Sequence, residues 1–351
     1  MKVAIITDQH FGARNDSVQC LDYYQKFYDN VFFPELQKNY IEHVIIMGDT
    51  FDRRKYVNFN TLHRAKQMFF DPLLTNGIKV SMLVGNHDTY YKNTNEVNSP
   101  SLMLREYTNI DIFARPQTIK IGKRKLCMIP WICADNYVES MEEIKHTSAK
   151  FLMGHLEIAG FSMYRGIESY DGMDSSIFSK FDKVFSGHYH HKSHKGNIYY
   201  LGNPYELTWQ DYDDPRGFHL FDLDTGELEF VKNPYSLFAR FEYDDSKNDP
   251  DGIDTSFAED KYVKIVVVNK TNLFKFDQFL ERVDRRNPIE VRILEDFSEF
   301  TEGEVDDTID LEDTGSVVTN YIDSLSTDID KAKVKSFMKG LMTEALYQRG
   351  E

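Results

Sequence analysis

The stretch Val80-Ser81-Met82-Leu83-Val84-Gly85-Asn86-His87-Asp88 decides the fold. A short apolar run closed by glycine predicts a strand buried between two layers. The amide, imidazole and carboxylate behind it sit just past the strand's C-terminal end, the edge at which α/β sheets bind ligands. Asn86 offers a neutral oxygen to a cation. His87 is a proton donor or oxyanion stabiliser, with Asp88 placed to orient its ring. A turn without chemistry is the competing reading.

The same arrangement recurs in both directions along the chain. Val3–Ile6 precedes Asp8-Gln9-His10, and Val44–Met47 precedes Gly48-Asp49-Thr50-Phe51-Asp52-Arg53-Arg54. Phe151–Met153 precedes Gly154-His155, and Phe181–Ser186 precedes Gly187-His188-Tyr189-His190. Residues i and i+2 of extended chain face one way, so Asp8 with His10, and His188 with His190, can reach one metal. Asp49, on a tight turn, can bridge two cations or simply cap an amide. His155 alone reads more readily as a packed core histidine. His191 and His194 read as strand or loop surface.

Around these loops the pattern predicts alternating strands and helices. Ser17 caps a helix carrying Val18, Leu21, Tyr24, Phe27 and Tyr28, with Pro34 near its end; a second helix covers Phe59–Phe70, and another opens near Asp135. Further strands are Leu126–Ile129, Ile198–Leu201 and Phe218–Phe221. From about residue 236, strands at Leu237–Tyr243, Tyr262–Val268 and Ile289–Leu294, with a helix after Asn272, predict a small α/β unit. The expected organisation is a metal-site domain over 1–235, a capping domain over 236–295, an acidic linker over 296–315 and a helical segment over 316–351. Two amphipathic helices in the last segment dock on the parent domain or on another protein.

Composition bounds the rest. A chain of 351 residues, 41% hydrophobic and 28% charged, holds about two globular domains and excludes disorder throughout. No apolar run approaches the roughly 18 residues of a membrane span, and the apolar N-terminus is too short for a signal peptide. Three scattered cysteines exclude a disulfide framework and point to a reducing, cytoplasmic setting. The net charge of −16 argues against a nucleic-acid partner, but ten of those charges lie between Glu295 and Thr314, where no basic residue offsets them.

The ordered motifs D-x-H, G-D-x-x-D, G-N-H-D, G-H and G-H-x-H, spanning residues 8–190, resemble the calcineurin-like metallophosphoesterase superfamily. The resemblance implies an α/β fold: a layered β-sandwich flanked by helices, here with a small α/β capping domain and C-terminal helices. It also implies a two-metal site. Asp8, His10, Asp49 and His190 would hold one divalent cation. Asp49, Asn86, His155 and His188 would hold the second, with Asp49 bridging. His87 would protonate the leaving oxygen or bind a phosphate oxygen. Asp88 and Asp52 would support from behind, Asp52 with an alternative role facing substrate. Nitrogen and oxygen donors suit Mn²⁺ first, with Mg²⁺, Fe or Zn²⁺ as alternatives, over Ca²⁺ or structural zinc.

The Gly48–Arg54 string is similar to that of protein phosphatases, but Arg54 stands where they have glycine and Asp88 where they have glutamate. The four-part order is instead similar to the SbcD/Mre-eleven family of DNA-repair nucleases, and the compact size and divergent second half look like the version encoded by tailed bacteriophages, the recombination endonuclease subunit. That resemblance implies 3′→5′ exonuclease action on double-stranded DNA and single-strand endonuclease action. It further implies an SbcC-type coiled-coil ABC ATPase as partner and a homodimer, while the lack of a long apolar run leads to the expectation of no membrane association. The dimer surface would involve Leu62, Met68, Phe69, Leu102, Met103 and Leu104, which pack equally well onto their own sheet. Candidate phosphate contacts are Arg14, Arg53, Arg54, Lys55, Lys192 and Lys195, too sparse for tight binding by the isolated chain. The alternative is a small-molecule phosphodiesterase or phosphatase of the same superfamily.

Overall fold

The apolar runs form strands because both of their faces are covered. In Lys2–Ile6, Val3 and Ile5 point to one core while Ala4 and Ile6 point to another. His43–Ile46 repeats the split, Ile45 facing inward and Val44 and Ile46 outward. Such strands read as continuous hydrophobic stretches without polar alternation.

The computed structural model describes residues 1–295 and residues 322, 331, 333, 334, 335 and 338. The expected acidic linker and nearly all of the terminal helical segment lie outside the described residues. The described residues 1–295 belong to one compact unit.

Two six-stranded sheets form the centre. Across the first run Leu228–Lys232, Gly217–Asp222, Lys2–Ile6, His43–Ile46, Lys79–Leu83 and Ile110–Phe113. Across the second run Ser193–Lys195, Ile198–Tyr200, Lys183–Gly187, Phe151–His155, Arg124–Ile129 and Gln117–Ile121. Their inner faces share one core of Val3, Ile5, Ile45 and Leu83 against Met128, Met153, Phe185 and Leu201. Helices with Tyr24, Phe27, Phe69 and Phe70 cover the outer face of the first sheet, and Ile144 and Phe178 cover that of the second. This is the layered sandwich expected. Its central strands run parallel, so their C-terminal ends gather at one edge.

Ser17 caps the first long helix, its hydroxyl accepting from the Cys20 amide. That helix does not stop near Pro34. It widens by one turn at Tyr28–Phe32 and continues through Phe33–Lys38. Proline sits at the first turn after the wide one, where its missing N–H is tolerated. The second helix widens likewise at Lys66–Phe70 and runs on to Thr75. Met68, Phe69 and Leu104 are buried in this chain's own core, whereas Leu102 is exposed.

The small sheet, Phe238–Asp244, Tyr262–Asn269 and Glu290–Leu294, is all parallel. Helix Leu273–Asp284, capped by Asn272, lays Phe276, Phe279 and Val283 over it. Leu237, Phe238 and Tyr262 join the outer core of the first large sheet, so the small sheet is packed onto the sandwich.

Candidate metal centre

Five loops leave the gathered strand ends, and each brings its polar residues to the same place. Asp8 and His10 follow Lys2–Ile6, Asp49 follows His43–Ile46, and Asn86 follows Lys79–Leu83. His155 ends its own strand, and His188 follows Lys183–Gly187. Asp8, His10, Asp49 and His188 all adopt left-handed backbone, with φ of 52°, 44°, 51° and 81°. Such strain gathers where side chains must be aimed. Gly187 is obligatory for a related reason: a Cβ there would press on Thr7 Oγ1, Asp8 Oδ2 and His155 Nδ1. A Cβ at Gly85 would collide with the Asp49 carboxylate.

Three sets of donors converge, each with its ligand atoms within 4.8 Å of one another: Asp8, His10 and His190; Asp49, His155 and His188; and His10, Asp52 and His87. In the first, His10 Nε2 and His190 Nε2 face each other at 3.2 Å. In the second, Asn86 Oδ1 lies 2.9 Å from both His155 Nε2 and His188 Nδ1, and Asp49 Oδ2 lies 3.2 Å from His155 Nε2. The same Asp49 oxygen is 3.8 Å from His10 Nε2, so it stands between the two sets.

These residues fit a pair of divalent cations. Nitrogens facing nitrogens across a buried space are unfavourable unless a proton or cation lies between them. The mixed imidazole, carboxylate and amide donors suit first-row divalent metals. The ring orientations agree: His155 Nδ1 donates to the Met47 carbonyl at 2.8 Å, turning Nε2 inward. Asp52 Oδ1, 3.2 Å from His10 Nδ1, does the same for His10.

Burial and neighbouring charges oppose each other in the cluster. Burial pushes His10 and His155 down, but neighbouring carboxylates outweigh it and raise both to about 9; Asp52, Asp49 and Asp8 act on His10, and Asp49 and Asp8 on His155. Burial pushes Asp8 up. It opposes Asp49 as well, yet His155 and His87 hold that carboxylate well below its usual range. Burial lowers His188 and His190.

His87 Nδ1 donates to the backbone carbonyl of Asp52 at 2.7 Å, and its amide donates to Asp49 Oδ1 at 2.8 Å. This corrects the expectation that Asp88 orients the ring. The Asp88 carboxylate instead accepts the amides of Thr50 and Phe51 at 3.0 and 3.2 Å and that of Gly85 at 2.9 Å, tying two loops together.

Two of the surrounding residues carry no sequence signal. Glu157 Oε1 lies 3.4 Å from His188 Nε2, on the side of the ring away from Asn86. Arg216 is buried and donates to the His190 carbonyl. His191, expected at the surface, is half-buried with Nδ1 2.8 Å from Asp214 Oδ2; His194 is exposed and stacks on Tyr199.

The candidate phosphate contacts are dispersed. Arg53 pairs with Asp16 at 2.9 Å and Arg54 lies over Trp131. Lys55 is exposed. Arg14 lies over Tyr262 at 4.3 Å, Lys192 over Phe230 at 3.6 Å, and Lys195 pairs with Glu168 at 3.0 Å. Among the described residues no helix is long and apolar enough to cross a membrane.

Residues 1–192 match the calcineurin-like phosphoesterase family. The chain is 30% identical to Exonuclease subunit 1 of Enterobacteria phage T4, over 98% of this chain and 99% of that protein. It is 21% identical to the SbcD component of the SbcCD nuclease of Staphylococcus saprophyticus subsp. saprophyticus, over 64% of this chain and 66% of that protein.

Proposed function

This chain belongs to the calcineurin-like phosphoesterase family, a hydrolase of phosphoester bonds, and from that premise we propose that it is the nuclease subunit of a DNA-end-processing complex. Its actions are 3′→5′ exonuclease on double strands and endonuclease on single strands. It works as a homodimer with an SbcC-type coiled-coil ABC ATPase, in the cytoplasm of the host cell. The observation that carries this reading is the end-to-end likeness to a phage exonuclease subunit, taken together with two adjacent cation-fitting clusters.

Two divalent cations, Mn²⁺ in this reading, would supply Lewis acidity toward a phosphodiester oxygen and a water activated for attack at phosphorus. Asp8, His10, Asp49 and His190 would hold one, and Asp49, Asn86, His155 and His188 the other. The remaining work belongs to the chain. His87 is held through Nδ1 by the Asp52 carbonyl, and in its doubly protonated form would pass the Nε2 proton to the departing ester oxygen, leaving a neutral ring. Asp88 fixes the loops of Asp49 and His87 relative to each other. Asp52 aims His10. Arg53, Arg54 and Lys55 flank Asp52 and provide phosphate contacts, with Arg14, Lys192 and Lys195 as further contacts. The small sheet over 236–295 is the cap that shapes DNA access. The 316–351 segment is the ATPase-docking element.

The test compares linear double-stranded DNA, single-stranded DNA and bis-p-nitrophenyl phosphate in Mn²⁺, with and without a co-expressed coiled-coil ATPase. DNA degradation that weakens steeply with salt is expected. Turnover of the small ester with no DNA cleavage, even beside the ATPase, would overturn the nuclease reading in favour of a small-molecule phosphodiesterase. Deleting Gly315–Glu351 is expected to leave Mn²⁺-dependent cleavage and abolish ATPase association.

A further inference from the structure

The segment from Gly202 to Arg216 touches the first and the last of the five loops. At its start, Gly202 is left-handed (φ +72°), and a Cβ there would fall 2.7 Å from the His190 carbonyl oxygen. At its end, Arg216 is 5% exposed and donates through Nη1 to that same carbonyl and to Asn203 Oδ1. Its Nη2 lies 2.9 Å from Asp211 Oδ1 and 2.8 Å from Asp214 Oδ2. In between, the Tyr205 hydroxyl donates to the carbonyl of Gln9, the residue between Asp8 and His10, at 2.7 Å. The Tyr205 ring is stacked on Tyr24 at 3.9 Å. One short segment therefore grips the backbone of both loops that supply Asp8, His10 and His190.

Its other contacts lead away from the cluster. Asp211 Oδ2 accepts the amides of Leu207 and Thr208 at 2.8 and 2.9 Å. Glu206 Oε2 accepts those of Leu237 and Phe238 at 2.6 and 2.9 Å, where the first strand of the small sheet begins. A buried guanidinium between two carboxylates is a poor source of net stability, because desolvation offsets most of the attraction. Its consequence is geometric: the His190 carbonyl is fixed against a group that cannot relax.

We propose that Tyr205 and Arg216 are positioning residues for the cation set Asp8–His10–His190, and that through Glu206 the same segment ties that set to the small sheet. This rests on the reading that the set holds a cation. The role is supportive, as in outer-shell contacts to metal ligands, whose loss weakens metal binding by about 10- to 100-fold.

The experiment is a Mn²⁺ titration of the full chain followed by electron paramagnetic resonance, with thermal unfolding of each metal-free variant alongside. The unsubstituted protein is expected to bind two ions and show a spin-coupled signal; failure to do so would remove the premise itself. Arg216→Lys and Tyr205→Phe are each expected to require about 10- to 100-fold more Mn²⁺ for the coupled signal. The other ion stays bound and gives an isolated six-line spectrum. Glu206→Ala is expected to shift the same ion in the same direction. Tyr205→Phe removes one hydroxyl from an intact stack and carries the test if the lysine variant does not fold. Unchanged titrations in Arg216→Lys and Tyr205→Phe would overturn the proposal, as would parallel loss of both ions with a lowered unfolding midpoint. An unchanged Glu206→Ala titration would overturn the tie to the small sheet.

Discussion

The sandwich and the small sheet both line up parallel strands whose C-terminal ends meet at one edge, yet among the described residues only the sandwich edge gathers a candidate metal centre. At the small sheet that edge carries Asp244 and Asn269, and their polar atoms are answered within the chain. Asp244 accepts from the Ser246 hydroxyl at 2.6 Å and from Asn269 Nδ2 at 3.1 Å, and pairs with Lys247 at 3.0 Å. Ser246 and Lys247 hold its carboxyl well below the usual range. At the sandwich, imidazole nitrogens face one another and share acceptors. Parallel topology supplies a place for a ligand. Imidazole, carboxylate and amide groups converging on one shared space, with two imidazole nitrogens left facing each other, turn the place into a site.

The largest expected effect comes from removing the atom both cation sets share. Asp49→Ala should lower bound Mn²⁺ below two per chain by elemental analysis and reduce small-ester hydrolysis by about 10³-fold or more; retention of both ions would make the two sets independent. His87→Ala should keep both ions and DNA binding but slow turnover by roughly 10²-fold or more, and normal DNA turnover would remove its acid role. On the other side of the comparison, Phe279→Ala should cost about 3–5 kcal/mol in urea unfolding with metal content unchanged. A fall in bound metal there would mean that the small sheet's interior, and not only its Glu206 tie at Leu237 and Phe238, helps to build the site.

Burial alone does not make a site either, and His219 provides the control. It lies in the strand next to Lys2–Ile6, and burial, helped by Lys192, pushes it down to about 3. Its native form stays neutral while the unfolded chain takes up a proton below about 6.5. Stability should therefore be lost as pH falls from about 6.5 toward 3, with a contribution of up to about 1.4 kcal/mol per pH unit. His219→Phe, against Phe230, should flatten that slope without altering bound Mn²⁺. The smallest effect is expected for Asp244→Ala, which should leave metal stoichiometry and ester turnover as they were; any loss would contradict the division between the two edges.

The strands were legible because burial on both faces writes unbroken apolar runs, and the five loops because each sits directly behind such a run. The remaining features have no local period. Pro34 reads as a helix end because a widened turn, which accommodates it, leaves no pattern in side-chain spacing. Asp88 stands next to His87 in sequence, yet the amides of Thr50 and Phe51, 38 and 37 residues away, claim its carboxylate together with that of Gly85. Arg216 looks like one more surface arginine beside Asp211 and Asp214, since His190 and Asn203, the partners that tie it to the site, reach it only through the fold. Edge strands such as Leu228–Lys232, half-exposed and short, mix polar with apolar residues and blur into loop.

Anomalous diffraction from crystals soaked in Mn²⁺ addresses the central claim most directly. Two peaks about 3.5–4 Å apart should appear, one among Asp8, His10 and His190 and one among Asn86, His155 and His188, both within reach of the Asp49 carboxylate. A single peak, or peaks at another edge of the molecule with these imidazoles left unligated, would contradict the account.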